Sequence, residues 1–151
     1  MHIKTLTLIA VSAASLVAGC ATLEETAAET FASTRRATLS GSAVVGGPGD
    51  PDGYAKAELS VTDQLNQICY DVNDVRGLSP ITSVTINRGG RGANGPVVLR
   101  LNEANEGGWK NCVKRAEWLE DSMDNAPDRY YIQITTSEYP NGAIRGQFTR
   151  D

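Results

Sequence analysis

A chain of 151 residues has room for one hydrophobic core, since a second core at this size would be starved of buried area. Hydrophobic residues at 40% and charged residues at 21% exclude a disordered or fibrous chain. The formal charge of −4, with no Lys/Arg run longer than a pair, excludes the cationic face that holds nucleic acid, so no nucleic-acid partner is expected.

The first segment in chain order is an address. Residues 1–19 open with Met-His-Ile-Lys, continue through an apolar run from Leu6 to Val11 and end in small residues. A basic start, a short apolar stretch and small residues before a break mark a secretory signal peptide, and the stretch is too short to stay as a membrane-spanning helix. Leu16-Val17-Ala18-Gly19-Cys20 resembles the lipobox of bacterial lipoproteins. That resemblance implies cleavage before Cys20 and attachment of a diacylglyceryl group to its thiol, a palmitate-type anchor of more than one acyl chain. Each buried CH₂ contributes only about 0.8 kcal/mol, so lasting attachment takes two or more chains. The alternative is an ordinary signal cleaved near Ala18, which leaves Cys20 as a free thiol. With Ala21 and not Asp after the cysteine, the resemblance implies outer-membrane sorting in a Gram-negative cell. Residues 20–36 then make up the lipidated cysteine and a small, polar, flexible tether, and residues 37–151 the folded domain.

Fifteen glycines against six prolines point to tight turns between short strands. Alternation of small or apolar with polar residues predicts strands over 37–45 and, most clearly, 55–61, separated by the Gly/Pro/Asp loop 46–53. A turn at Asp63-Gln64 leads to a strand around Ile68, Tyr70 and Val72, then one over 81–87. The glycine-rich stretch 89–96 breaks the pattern, 97–101 resumes it, and 102–108 is a loop. Between Cys112 and Asn125 the period changes: Val113, Ala116, Leu119 and Met123 fall on one helical face, Asn111 suits an N-cap, and Pro127 stops the helix. Strands over 130–136 and 143–149, joined through Asn141-Gly142, complete an all-β sandwich or barrel with one short helix near 112–125.

With Cys20 assigned to lipid, Cys69 and Cys112 most simply form one disulfide in an exported domain; two buried thiols or a metal pair are the alternatives. Closing a loop of about 43 residues removes roughly 4 kcal/mol of unfolded-chain entropy on the loop-closure account.

Four pieces then resemble the CHRD (chordin-type) domain. They are Ala37-Thr-Leu-Ser-Gly41 with the turn at 49–53, Asn87-Arg-Gly-Gly-Arg-Gly-Ala-Asn-Gly-Pro-Val-Val98, Tyr130-Tyr131-Ile132, and Tyr139-Pro-Asn-Gly-Ala-Ile-Arg-Gly-Gln-Phe148. The resemblance implies an immunoglobulin-like or superoxide-dismutase-like antiparallel β-sandwich, with no firm activity attached to the bacterial members. Where the family usually shows His-x-His this chain has Thr85-Ile86-Asn87, and where a further His often follows the paired tyrosines it has Thr135. The sole histidine is His2, inside the leader. Copper or zinc chemistry built on neutral imidazole is therefore not expected of the mature chain.

Ser-His and Cys-His pairs are absent for the same reason, so no enzyme activity and no cofactor are expected. Glu117, Glu120, Asp121 and Asp124 crowd one segment, but acids on a helix are usually its solvated face. Asp50 and Asp52, with Asn94 as a third oxygen, are weak calcium candidates, against ordinary turn chemistry for Asp-Pro-Asp-Gly. Arg145 is read as pairing with an acid or carbonyl ahead of binding an anion. Trp109, Trp118, Tyr130, Tyr131 and Tyr139 are read as packing ahead of lining a binding face. The expectation is a membrane-anchored, non-enzymatic binding or structural lipoprotein of the cell envelope, with an envelope or extracellular protein or a glycan as partner. The alternative is a degenerate relative of a metal-dependent enzyme or metallochaperone that has lost its His ligands.

Overall fold

The computed structural model describes residues 32–62, 67–105, 107–114 and 117–150. The expected leader, Cys20, the expected tether as far as residue 31, the expected turn at Asp63-Gln64 and Ala116 lie outside the described residues. The strands are β1 (Ala32–Ser40), β2 (Tyr54–Thr62), β3 (Gln67–Arg76), β4 (Ile81–Arg88), β5 (Val97–Leu101), β6 (Trp109–Lys114), β7 (Tyr130–Thr136), β8 (Ile144–Gln147) and β9 (Thr149–Arg150). Among the described residues one α-helix, α1 (Glu117–Asn125), lies between β6 and β7, and 3-10 turns occupy Gly41–Ala43 and Pro127–Arg129.

Every strand pairing is antiparallel, and the fold is all-β with one short helix. The strands join into a single nine-stranded sheet, in the order β5-β4-β7-β8-β1-β2-β3-β6 with β9 beside β1, which curls into a nearly closed barrel. The two edges approach at the β3 side of the seam. There the Tyr70 hydroxyl donates to Asn102 O at 2.7 Å and accepts from Asn102 N at 2.9 Å, tying β3 to the end of β5.

Alternation builds the core. Leu39, Ala55, Leu59, Ile68, Val84, Ile86, Ile132, Ile134, Ile144 and Phe148 all point inward and are buried. Burying each of the larger side chains stabilises by about 1.5–3 kcal/mol before the entropy of ordering it. Leu119 and Met123, one helical turn apart on α1, are fully buried in the same cluster.

Three expectations about boundaries change. The first strand begins at Ala32 and ends at Ser40, so residues 32–36 of the expected tether are paired along β2 while 41–45 leave the strand. The inward position that hid this extension is Arg35, a charged residue only 8% exposed. Its Nη2 meets Asp124 Oδ1 at 2.7 Å and its Nε donates to Met123 O at 3.4 Å. Burial of a paired guanidinium at the C-terminal end of α1 is favourable where an unpaired one is not. The helix near 112–125 is also shorter, because Cys112 and Val113 belong to β6. Cys112 lies directly opposite Cys69 of β3, and the ladder from Gln67↔Lys114 to Val72↔Trp109 holds the segment extended. Asn111 is accordingly a strand residue and no cap, its Oδ1 accepting from Cys112 N at 2.8 Å. Lastly, the strand expected over 143–149 divides at Phe148 into β8 and β9. The expected disulfide between Cys69 and Cys112 is present, with an S–S length of 2.04 Å.

Candidate functional site

A half-buried strand hides one face. Strands β4, β7 and β8 hide both, which makes the outside of this part of the barrel unlike the rest. Pairings Thr85↔Gln133, Asn87↔Tyr131, Gln133↔Arg145 and Tyr131↔Gln147 place these side chains on one outward face. Thr85, Asn87, Tyr131 and Arg145 are nonetheless only 2–6% exposed. What covers them is the glycine-rich loop 89–95, folded back over the sheet.

The loop is held chiefly by Arg145. Its guanidinium carbon lies 3.5 Å from the centroid of the Tyr131 ring, a cation-π stack that also keeps water off the charge. Nη2 donates to Gly90 O at 3.0 Å and Ala93 O at 2.9 Å, and Nη1 donates to Asn94 Oδ1 at 3.1 Å. Burial pulls the arginine below its ordinary pKa, opposed by the neighbouring Tyr131, and the group stays charged at any physiological pH. Gln147 repeats the pattern lower down, with Nε2 2.7–2.9 Å from the carbonyls of Gly89, Asp128 and Tyr130. Asn87 Nδ2 donates to Gly95 O at 3.3 Å, and Thr85 Oγ1 donates to Asn87 Oδ1 at 2.8 Å. Tyr131 completes the set by accepting from Gly95 N at 3.2 Å.

These contacts explain the motif Arg145-Gly146-Gln147 residue by residue. The flanking residues grip the loop, while a Cβ on Gly146 would sit 2.6 Å from Thr38 O and force β8 away from β1. Gly95 is required for the same reason at the loop's return, where a Cβ would lie 1.7 Å from Arg88 O.

The positions where the CHRD resemblance implies imidazoles fall on this outward face. Thr85 and Asn87 sit beneath the loop, and Thr135 is aligned with them opposite Ser83, its hydroxyl 3.0 Å from Thr82 Oγ1. A threonine hydroxyl and an amide bonded to one another make a poor donor set for copper or zinc. Among the described residues, no three His, Cys, Asp or Glu side chains gather to hold a metal ion.

The remaining candidates scatter. Asp50 Oδ1 accepts from Asp52 N at 3.1 Å and Gly53 N donates to Asp50 O at 3.2 Å, a side-chain-capped turn. Asn94 is engaged elsewhere, between Arg145 and Val45 O, and the guanidinium beside its oxygen disfavours a cation there. Desolvation and the charges of Asp50, Glu138 and Asp52 hold the Tyr139 phenol above its ordinary value. Asp124 belongs to the Arg35 ion pair and Asp121 is exposed, while the side chains of Glu117 and Glu120 lie outside the described residues. Of the aromatics, Tyr130 and Tyr131 are buried, Trp109 packs against the core and Trp118 stands 55% exposed, so they form no common face. Arg145 bonds carbonyls and a side-chain amide, as a strand arginine is expected to do.

Sequence reasoning missed Gln147 and the covering role of loop 89–95. The available signal was a strand face carrying polar residues where solvent-facing charge is usual, opposite a loop too rich in glycine to cover anything with side chains. Both the loop and its grip lie within residues 35–148, over which the chain matches the family model of the CHRD domain. No curated protein and no solved structure matches the chain. The family match spans well over half of the sequence, from within β1 to the end of β8, and the chain belongs to the CHRD domain family.

Proposed function

We propose that this CHRD protein is a lipid-anchored, non-enzymatic binding or structural module of the cell envelope, tethered through Cys20. The observation that carries the reading is the leader itself, a basic start and short apolar run ending in Leu16-Val-Ala-Gly-Cys20. The family points to a binding or structural domain and is not one of known enzymes. The chemistry agrees, because the one histidine stands in the leader and the two domain cysteines are bonded to each other. A barrel that fixes a loop with buried polar groups is a rigid platform for contact.

Mass spectrometry and fractionation of the protein from its host test this reading. Acylated Cys20 as the first residue, with Cys20→Ser shifting the protein out of the membrane fraction, is the expected result. Retention of Met1 with no added lipid overturns it. The second reading, a relative that has lost metal ligands, is favoured by the alignment of Thr85, Asn87 and Thr135 on one outward face. Stoichiometric copper or zinc in the purified protein would replace the first reading with a metal-binding one.

A further inference from the structure

We infer that Asn141, in the turn between β7 and β8, is a site of spontaneous deamidation, and that the fold withholds the same reaction from Asn94. Neither half of this depends on the anchored-module reading.

The chain contains two Asn-Gly dipeptides, Asn94-Gly95 and Asn141-Gly142. Asparagine before glycine is prone to ring closure, because glycine has no Cβ to shield its amide nitrogen. The glycine nitrogen attacks the asparagine Cγ and gives its proton to a solvent base. The Cγ–Nδ2 bond breaks, ammonia leaves, and a five-membered succinimide remains. Water then opens the ring at either carbonyl, giving aspartate or the isomer whose main chain runs through the side-chain carbonyl. Water is the one co-reactant, and nothing is oxidised or reduced.

The two dipeptides share one feature and differ in another. Both glycine N–H groups are engaged: Gly95 N donates to Tyr131 Oη at 3.2 Å, and Gly142 N donates to Tyr139 O at 3.1 Å. What separates them is the freedom of the asparagine side chain. Asn94 is held at both ends of its amide, Nδ2 donating to Val45 O at 2.9 Å and Oδ1 accepting from Arg145 Nη1 at 3.1 Å. Arg145 is itself buried and stacked on Tyr131, so its grip is not diluted by water. For the Asn94 Cγ to reach Gly95 N both bonds must break, one of them with a charged donor. Asn141 is exposed, and among the described residues its side chain makes no hydrogen bond. Only its backbone carbonyl is held, accepting from Gln133 Nε2 at 3.2 Å, which leaves the side chain free to change rotamer.

The products at Asn141 reach contacts on which the barrel relies. Aspartate places a new carboxylate beside Tyr139, where the charges of Asp50, Glu138 and Asp52 already act. The isomer adds a methylene to the main chain inside the turn closed by Gly142 N and Tyr139 O, just ahead of Ala143 N donating to Ile134 O at 2.8 Å. That bond leads into the β7–β8 ladder, so the isomer loosens the strand that carries Arg145. At Asn94 the same change would fall directly under the Arg145 guanidinium. Arg145 thus guards the chemistry of the glycine loop as well as its position.

Mass-spectrometric peptide mapping of the protein as its host makes it, aged in neutral buffer, tests this. The peptide containing Asn141 should gain the mass of an amide-to-acid exchange at least about tenfold faster than the peptide containing Asn94, the rate difference set by two hydrogen bonds that must first be lost. Full unfolding in urea should free the Asn94 amide and bring the two rates together. Asn141→Gln should remove the fast product and leave the melting temperature unchanged, since the Asn141 side chain supports no contact. Equal rates in the folded protein, or a faster reaction at Asn94, overturn the assignment, as does a fast product that survives Asn141→Gln. A difference that persists in urea overturns it too, because sequence neighbours and not the fold would then set the rate.

Discussion

The two flanks of the sheet are secured by opposite means. Around β4, β7 and β8 the outer face is roofed by loop 89–95, and hydrogen bonds from buried Arg145 and Asn87 and from half-buried Gln147 hold the roof down. At β3 and β6 the outer face is wet, Cys112 is exposed, and the edge strand is fastened by the Cys69–Cys112 bond. The difference follows from solvent. A hydrogen bond strengthens where water is excluded and is discounted where water competes, so the roofed flank can rely on polar contacts and the bare edge gains most from a covalent one.

Replacing Arg145 should break this contrast most sharply. Arg145→Ala leaves Ala93 O and the Asn94 amide oxygen without their arginine donor, leaves Gly90 O with the Ala93 N–H alone, and uncovers the Tyr131 ring, at a cost of about 3–5 kcal/mol in urea unfolding. Arg145→Lys should restore little of it, since an ammonium cannot bridge the same fork of acceptors. The Cys69→Ser/Cys112→Ser pair should cost about 2–4 kcal/mol, with faster hydrogen exchange in β6 and little change in β4 and β7. Equal loosening of both flanks would show that the two fastenings act as one. Tyr70→Phe, at the seam, should cost about 1–2 kcal/mol by stranding the Asn102 N–H and carbonyl. A double-mutant cycle on Arg36 and Glu58, both about half exposed, should return under about 1 kcal/mol and shrink with salt.

The wet flank was the legible one. In β2 and β3 strict alternation of Ala55, Ala57 and Leu59, then Ile68, Tyr70 and Val72, separates inside from outside, and the cysteine count leaves one pairing. Periodicity misled where a buried position holds a charge, as at Arg35, whose inward placement depends on an acid 89 residues away. It misled again at Cys112 and Val113, where spacing compatible with a helix yields to a ladder and a crosslink. For the candidate site the residue types were visible but their cover was not. Nothing local to Thr85, Asn87 or Arg145 announces that a distant glycine loop folds over them, because loop placement is set by tertiary contacts that leave no period in the sequence.

The curl of the sheet also bears on how the protein coexists with copies of itself. An open nine-stranded sheet would offer two bare rows of amides and carbonyls on which another molecule could grow a strand. Here the outermost strands are short, β5 with five residues and β6 with six, and Tyr70 draws β3 to the end of β5. β5 follows Pro96 and carries Arg100, and β6 carries exposed Lys110 and Lys114. Charge and brevity at both rims discourage templated polymerisation, a safeguard whose value grows with the local concentration of the protein.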